Sequence, residues 1–270
     1  MRQEAELVPY VTTRLAGSPL LVLAPHPDDE VFGCGAVLLE AVRSHAENHV
    51  VIITDGDAQG DPEARRGESR EAARRMGSSE PEFWAFRDRS LLPSDPRLLD
   101  RLRRKIDEVK PELLLAPSPA EMHPDHRALA LATYRVLRAC PPGSLHPEFR
   151  LAAYEVSAFL RPNVLIDLTA DWAQLVHAAE AFGSQNTVRP YLEVLDAVTT
   201  VHRLTLPAET TRAAAYHLSD HQFIIDNSAT QWASQLGPSA GLTSDDPESA
   251  EKACSTSFFR RLKQSLGRPR

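Results

Sequence analysis

Leu20-Leu21-Val22-Leu23-Ala24 runs straight into Pro25-His26-Pro27-Asp28-Asp29-Glu30, and the reading of this stretch decides the architecture. Consecutive apolar residues with no polar alternation read as a strand covered on both faces, the habit of central parallel strands. A turn dense in imidazole and carboxylate follows, and then a segment from about 33 to 45 with helical character. Outward from there the same grammar recurs. The runs 50–54 (VVIIT) and 113–116 (LLLA) are further buried strands, 83–86 (FWAF) is a weaker one and 164–166 (VLI) a later one. Helical patterns lie between them at about 63–76, 96–109 and 125–138, and Asp95-Pro96 supplies a capping residue followed by proline at the first helical position. Thr169 is expected to cap a helix over about 170–181. Strands alternating with helices predict an α/β fold: a Rossmann-like, doubly wound, mostly parallel sheet with helices on both faces.

The chain has 270 residues, with 30 Lys+Arg against 37 Asp+Glu and a formal net charge of −7, which disfavours a general nucleic-acid-binding surface. No apolar run approaches the roughly 18 residues of a membrane-spanning helix, so no integral membrane segment is expected. The opening residues MRQEAELVPYV lack the apolar centre of a secretory signal. Cys34, Cys140 and Cys254 are too few and odd in number for a disulfide framework and suit a reducing, cytoplasmic setting. Near Ser234 the composition turns to Gly, Ser, Asp and Pro and then to a basic end. The expected organisation is one α/β domain over 1–233, with 234–270 a flexible linker and basic tail.

Chemistry concentrates in two places. His26 and Asp29 are three residues apart across a strand-to-helix turn, where an imidazole and a carboxylate converge on one metal while Asp28 points elsewhere. Ligands of doubly wound sheets bind at the carboxyl ends of strands, which is where this turn falls. Crowded carboxylates repel, and a divalent cation relieves the repulsion. A plainer reading has Asp28 to Glu30 only capping the helix that follows. The second place weakens that reading. His123-Pro124-Asp125-His126 follows the strand at 113–116 and also leads into a helix. Two loops from separate strands then bring imidazole and carboxylate to the same sheet edge.

With PHPDDE at 25–30 and HPDH at 123–126, the sequence resembles the LmbE-like, PIG-L-type zinc-dependent de-N-acetylases of N-acetylglucosaminyl conjugates. Weaker similarities are Thr54-Asp55-Gly56, Arg65 and Glu68 followed by Gly77, Phe86-Arg87-Asp88, and Ser184-Gln185, over roughly residues 18–220. The resemblance implies that His26, Asp29 and His126 bind zinc, with ferrous iron able to take the same ligands. It implies that Asp28 is the general base, that His123 faces the scissile amide as the acid in its protonated form, and that Asp125 orients His123. Arg65 and Asp88 stand where family members contact substrate hydroxyls; surface ion pairing is the competing reading for both. Glu121 stands where some members carry a tyrosine two residues before the first His of HPDH.

Two imidazoles and one carboxylate leave a zinc site open to water, and an amine leaves only when protonated, so amide hydrolysis needs a proton-handling group besides the base. The expected partner is a small amino-sugar conjugate, and the expected function is a metal-dependent hydrolase removing an acetyl or short acyl group. Two alternatives stay open: an amidase acting on another amide, such as a thiol conjugate, and a non-catalytic module keeping the metal as structure. Other signals are set aside. Gly33-Cys34-Gly35 lacks the third glycine of a dinucleotide loop and reads as close helix–sheet packing. The stretch at 55–61 imitates a calcium loop but has Arg66 where a bidentate Glu is needed. His217 and His221, four apart, read as a histidine pair on a helix without a third ligand.

Overall fold

In the computed structural model, which describes residues 8–141 and 143–237, the elements run β1 (Leu20–Ala24), α1 (Asp29–Phe32), α2 (Gly35–Arg43), β2 (Asn48–Thr54), α3 (Pro62–Met76), β3 (Glu82–Phe86), α4 (Pro96–Val109), β4 (Leu113–Pro117), α5 (Pro124–Ala139), β5 (Arg150–Tyr154), β6 (Val164–Asp167), α6 (Trp172–Ala179), α7 (Gly183–Asn186), α8 (Tyr191–His202), β7 (Ala213–Asp220), α9 (His221–Asp226) and α10 (Ala229–Leu236). The strands form one seven-stranded sheet in the order β3-β2-β1-β4-β5-β7-β6. β1 to β5 are mutually parallel, and β7 runs antiparallel between β5 and β6. Every residue of β1 and β4 is buried, which is why both read as unbroken apolar runs. From β1 the chain winds one way to β2 and β3, then crosses back to β4 on the other side. The gap between the carboxyl ends of β1 and β4 is therefore the topological switch point, and the PHPDDE and HPDH loops leave the sheet on either side of it.

The helix expected over 33–45 starts earlier and is interrupted. α1 ends at Phe32 and α2 begins at Gly35. Gly33 lies against the sheet: a β-carbon there would sit 2.3 Å from Cδ2 of Tyr154, a fully buried ring whose hydroxyl donates to the Leu23 carbonyl at 2.9 Å. Tyr216 in turn donates its hydroxyl to the Gly33 carbonyl at 3.0 Å. Gly33→Ala is expected to cost about 1–3 kcal/mol through overpacking, lowering Tm by ~2–10 °C in a thermal melt. An unchanged Tm would mean that the Tyr154 ring moves aside freely.

Asp95 caps α4 as expected, its carboxylate accepting from Arg97 N at 2.9 Å. Thr169 does not cap. α6 begins at Trp172, and the Thr169 hydroxyl accepts from Thr211 N at 2.9 Å instead. β5 (RLAAY) and β7 (AAAYHLSD) escape a propensity reading because alanine is depleted in strands; their burial beside β4 decides their state. β7 also separates the two histidines: His217 lies on the strand with Nδ1 at the Arg161 carbonyl, and His221 opens α9 with Nε2 at the Leu137 carbonyl. α10 runs through the boundary expected at 233, and the basic tail from 238 onward lies outside the described residues. Among the described residues, no helix is long and apolar enough to cross a membrane.

Candidate active site

Asp28 is the strained point of the first loop. Its φ of 126° is a left-handed-side value for a residue with a β-carbon, a conformation that costs on the order of 1–3 kcal/mol and persists where its surroundings enforce it. Its N–H donates to Glu30 Oε2 at 2.8 Å, and its carbonyl accepts from Val31 and Phe32 at 3.0 Å each. Beneath the loop, Arg65 of α3 donates to the Pro27 carbonyl at 2.6 Å, to the Gly56 carbonyl at 3.1 Å and to Asp28 Oδ2 at 3.0 Å. The plain capping reading fails for Asp28, whose side chain makes no cap hydrogen bond, while Asp29 and Glu30 do lie in the first turn of α1 and Glu30 accepts from the Asp28 N–H. Surface ion pairing fails for Arg65 too, because it is buried. Its guanidinium holds the loop and the Asp28 carboxylate, although Arg65 also borders the cavity described below. Burial and the neighbouring Asp29 push Asp28 well above the usual carboxylate range, against the pull of Arg65.

Beside it, three donor atoms face one point. His26 Nδ1 and His126 Nε2 each lie 3.1 Å from Asp29 Oδ2 and 3.3 Å from one another. Tetrahedral zinc, with bonds of about 2.0–2.1 Å, separates its ligands by about 3.3–3.4 Å, so the triangle has the size a small divalent cation needs. Two further features suit a cation. His126 Nδ1 is buried with no hydrogen-bond partner, so no bond at Nδ1 sets which ring nitrogen carries the proton, and a metal on Nε2 would set it. Against burial, the His126 and His26 imidazoles hold Asp29 well below the usual carboxylate range, so it is a ready anionic donor. Wider groupings also lie within metal reach: His26, His123 and His126, and His26, Asp88 and Asp125, have donor atoms within 4.8 Å of one another.

The Asp88 and Asp125 carboxylates both reach His26, and Asp88 also lines the cavity described below. His26 Nε2 lies 3.2 Å from Asp88 Oδ1 and 3.3 Å from Asp125 Oδ2. Asp125 Oδ2 also accepts from Arg89 N at 2.6 Å, and Oδ1 from Leu91 N at 3.1 Å. The Asp125 carboxylate thus backs His26 and ties down the segment 89–91, while His123 is reached by the Asp125 backbone, whose N–H donates to His123 Nδ1 at 3.2 Å. That bond makes Nδ1 an acceptor and leaves the ring proton of a neutral His123 on Nε2. Burial and the imidazoles of His26 and His126 push His123 down to about 4, outweighing Asp125 and Asp29, so the imidazolium expected from the sequence is disfavoured at neutral pH. Against burial, His26 holds Asp88 at about 2.

The cluster opens into a cavity of about 620 Å³ whose lining includes Phe32, Met122, Val156, Tyr191 and Val194 beside the polar groups. Three acids named from the sequence have supporting contacts that the sequence did not show. Glu30 holds the Asp28 backbone, as above. Glu68 accepts from Ser184 N at 2.7 Å and from its hydroxyl at 2.6 Å, fixing the turn that puts Gln185 into the cavity wall. Glu121 is wholly buried: Oε1 accepts from Val156 N at 2.5 Å and Ser157 N at 3.1 Å, and Oε2 accepts from the Ser157 hydroxyl at 2.5 Å. Its only sequence signal was the acid two residues before His123.

The strand-switch crevice with its paired histidine–aspartate loops can be set beside the known proteins that this chain is similar to. Residues 21–137 match the PIG-L family model, described as GlcNAc-PI de-N-acetylase. A protein of Bacillus anthracis named as a probable N-acetyl-alpha-D-glucosaminyl L-malate deacetylase 2 is 27% identical over 149 residues, which span 50% of this chain and 66% of that protein. The match thus falls just short of two thirds of that relative's length. Among solved structures, a conserved protein of Thermus thermophilus is 29% identical with a TM-score of 0.63, covering 73% of this chain and 93% of the other. The N,N'-diacetylchitobiose deacetylase of Pyrococcus horikoshii superposes with a TM-score of 0.67 at 20% identity, covering 77% and 85%, a likeness of fold.

Proposed function

We propose that the chain is a metal-dependent hydrolase that removes an acetyl or short acyl group from the amine of an N-acetylglucosaminyl-type conjugate. The observation that supports it most is the triangle of His26 Nδ1, Asp29 Oδ2 and His126 Nε2 with a second carboxylate, Asp28, held beside it by Arg65. His26, Asp29 and His126 are the ligands of the proposed metal, zinc or ferrous iron, and Asp28 stays out of that set. Bound there, the cation supplies Lewis-acid polarisation of the amide carbonyl and favours deprotonation of water. Asp28 receives the proton of the attacking water, a role its raised pKa suits. His123, neutral with its proton on Nε2, donates a hydrogen bond to the carbonyl oxygen as negative charge develops. The C–N bond then breaks, and the proton gathered by Asp28 passes to the departing amine. Arg65 keeps Asp28 aimed, and Asp88 and Asp125 fix the orientation of the His26 ring.

Acetate release from N-acetylglucosamine conjugates, with and without chelation, tests the proposal. The metal-loaded chain is expected to release acetate, the chelated chain to lose at least ~90% of that rate, and added zinc to restore it. Release unaffected by complete metal removal would contradict it. A chain that cleaves only another amide, such as a thiol conjugate, would move the substrate class while leaving the chemistry intact.

A further inference from the structure

We propose that Glu121 is a positioning residue that fixes the proton of His126 when a metal binds and links the metal site to the cavity wall at 156–158. The inference rests on the metal reading above. His126 Nδ1 is buried and has no hydrogen-bond partner, and Glu121 Oε2 faces it from 3.7 Å, just beyond hydrogen-bond reach. A neutral imidazole that gives the lone pair of Nε2 to a cation carries its proton on Nδ1, and such a proton calls for an acceptor. Glu121 is already restrained for that task. Its oxygens accept from the N–H groups of Val156 and Ser157, with a longer contact from Ala158 N at 3.4 Å, and from the Ser157 hydroxyl. Val156 and Ser157 also line the cavity. One buried carboxylate therefore stands between a proposed metal ligand and the wall that a substrate meets. Closing the 3.7 Å gap by a few tenths of an ångström turns metal binding into a pull on that wall.

The test uses the full 270-residue chain stripped of metal, titrated with zinc against a chromophoric chelator. Wild type is expected to bind one zinc, Glu121→Gln to bind it about 10–100-fold more weakly, and Ser157→Ala to stay within about twofold of wild type, since it removes a contact of Glu121 without touching His126. Nitrogen-15 NMR of the zinc-loaded wild type should show a slowly exchanging proton on His126 Nδ1, a readout that remains if the Glu121 variant fails to fold. Amide exchange at 156–158 should slow on zinc addition in wild type and respond less in Glu121→Gln. Wild-type zinc affinity in Glu121→Gln, or a His126 Nδ1 without a proton in the loaded wild type, overturns the proposal. A wild type that binds no zinc at all overturns the metal reading itself, and the two failures are distinct.

Discussion

Asp28→Asn is expected to keep the metal at wild-type stoichiometry while turnover falls about 10²–10⁴-fold, the scale of a lost general acid or base. The structure makes this substitution a clean probe. Asparagine tolerates positive φ better than most residues with a β-carbon, so the 126° backbone survives, and its amide oxygen still accepts from Arg65. What disappears is the carboxylate's ability to take a proton. Initial rates and elemental analysis on the same preparation check the expectation. Loss of metal together with activity would mean that Asp28 is a ligand, and unchanged turnover would remove it from the chemistry.

Asp29→Ala is expected to abolish metal binding in practice. Even loss of a partner one shell out typically weakens a site about 10–100-fold, so removal of the anionic donor should exceed ~10²-fold. Asp29 also accepts from the His26 backbone N–H at 2.9 Å, so the turn that aims the first imidazole loosens with it. Acetate release should fall to the level of the chelated wild type, and competition against a chelator reads the affinity directly. Full zinc occupancy in this variant would show that the wider grouping of His26, His123 and His126 holds the cation without Asp29.

Much of this is legible in the sequence, for physical reasons. β1 and β4 are buried on both faces, so their unbroken apolar runs announce central parallel strands, and the loops that follow them must share the carboxyl edge. That alone brings His26 and Asp29 to one side of His126. Less visible was whatever depends on contact rather than order along the chain. Arg65 looks like any surface arginine of an Arg-rich helix, yet Gly56 and Pro27 lie over it and it is buried. Asp125 is adjacent to the first loop in space and not in sequence, so its bonds to Arg89 and Leu91 and its closeness to His26 could not be read from HPDH. Glu121 is hidden for the same reason, its partners lying about 35 residues downstream. The alanine-rich β5 and β7 belong to the sheet through burial and pairing, which propensity does not encode.

The central claim is that His26, Asp29 and His126 hold the metal while Asp28 stands free beside it as the base. Anomalous diffraction from zinc-loaded crystals tests this most directly. The account predicts one anomalous peak within bonding distance, about 2.0–2.2 Å, of His26 Nδ1, Asp29 Oδ2 and His126 Nε2, with the Asp28 carboxylate outside that distance and on Arg65. A peak ligated by Asp28 in place of Asp29, or one seated between Asp88 and Asp125, would contradict it.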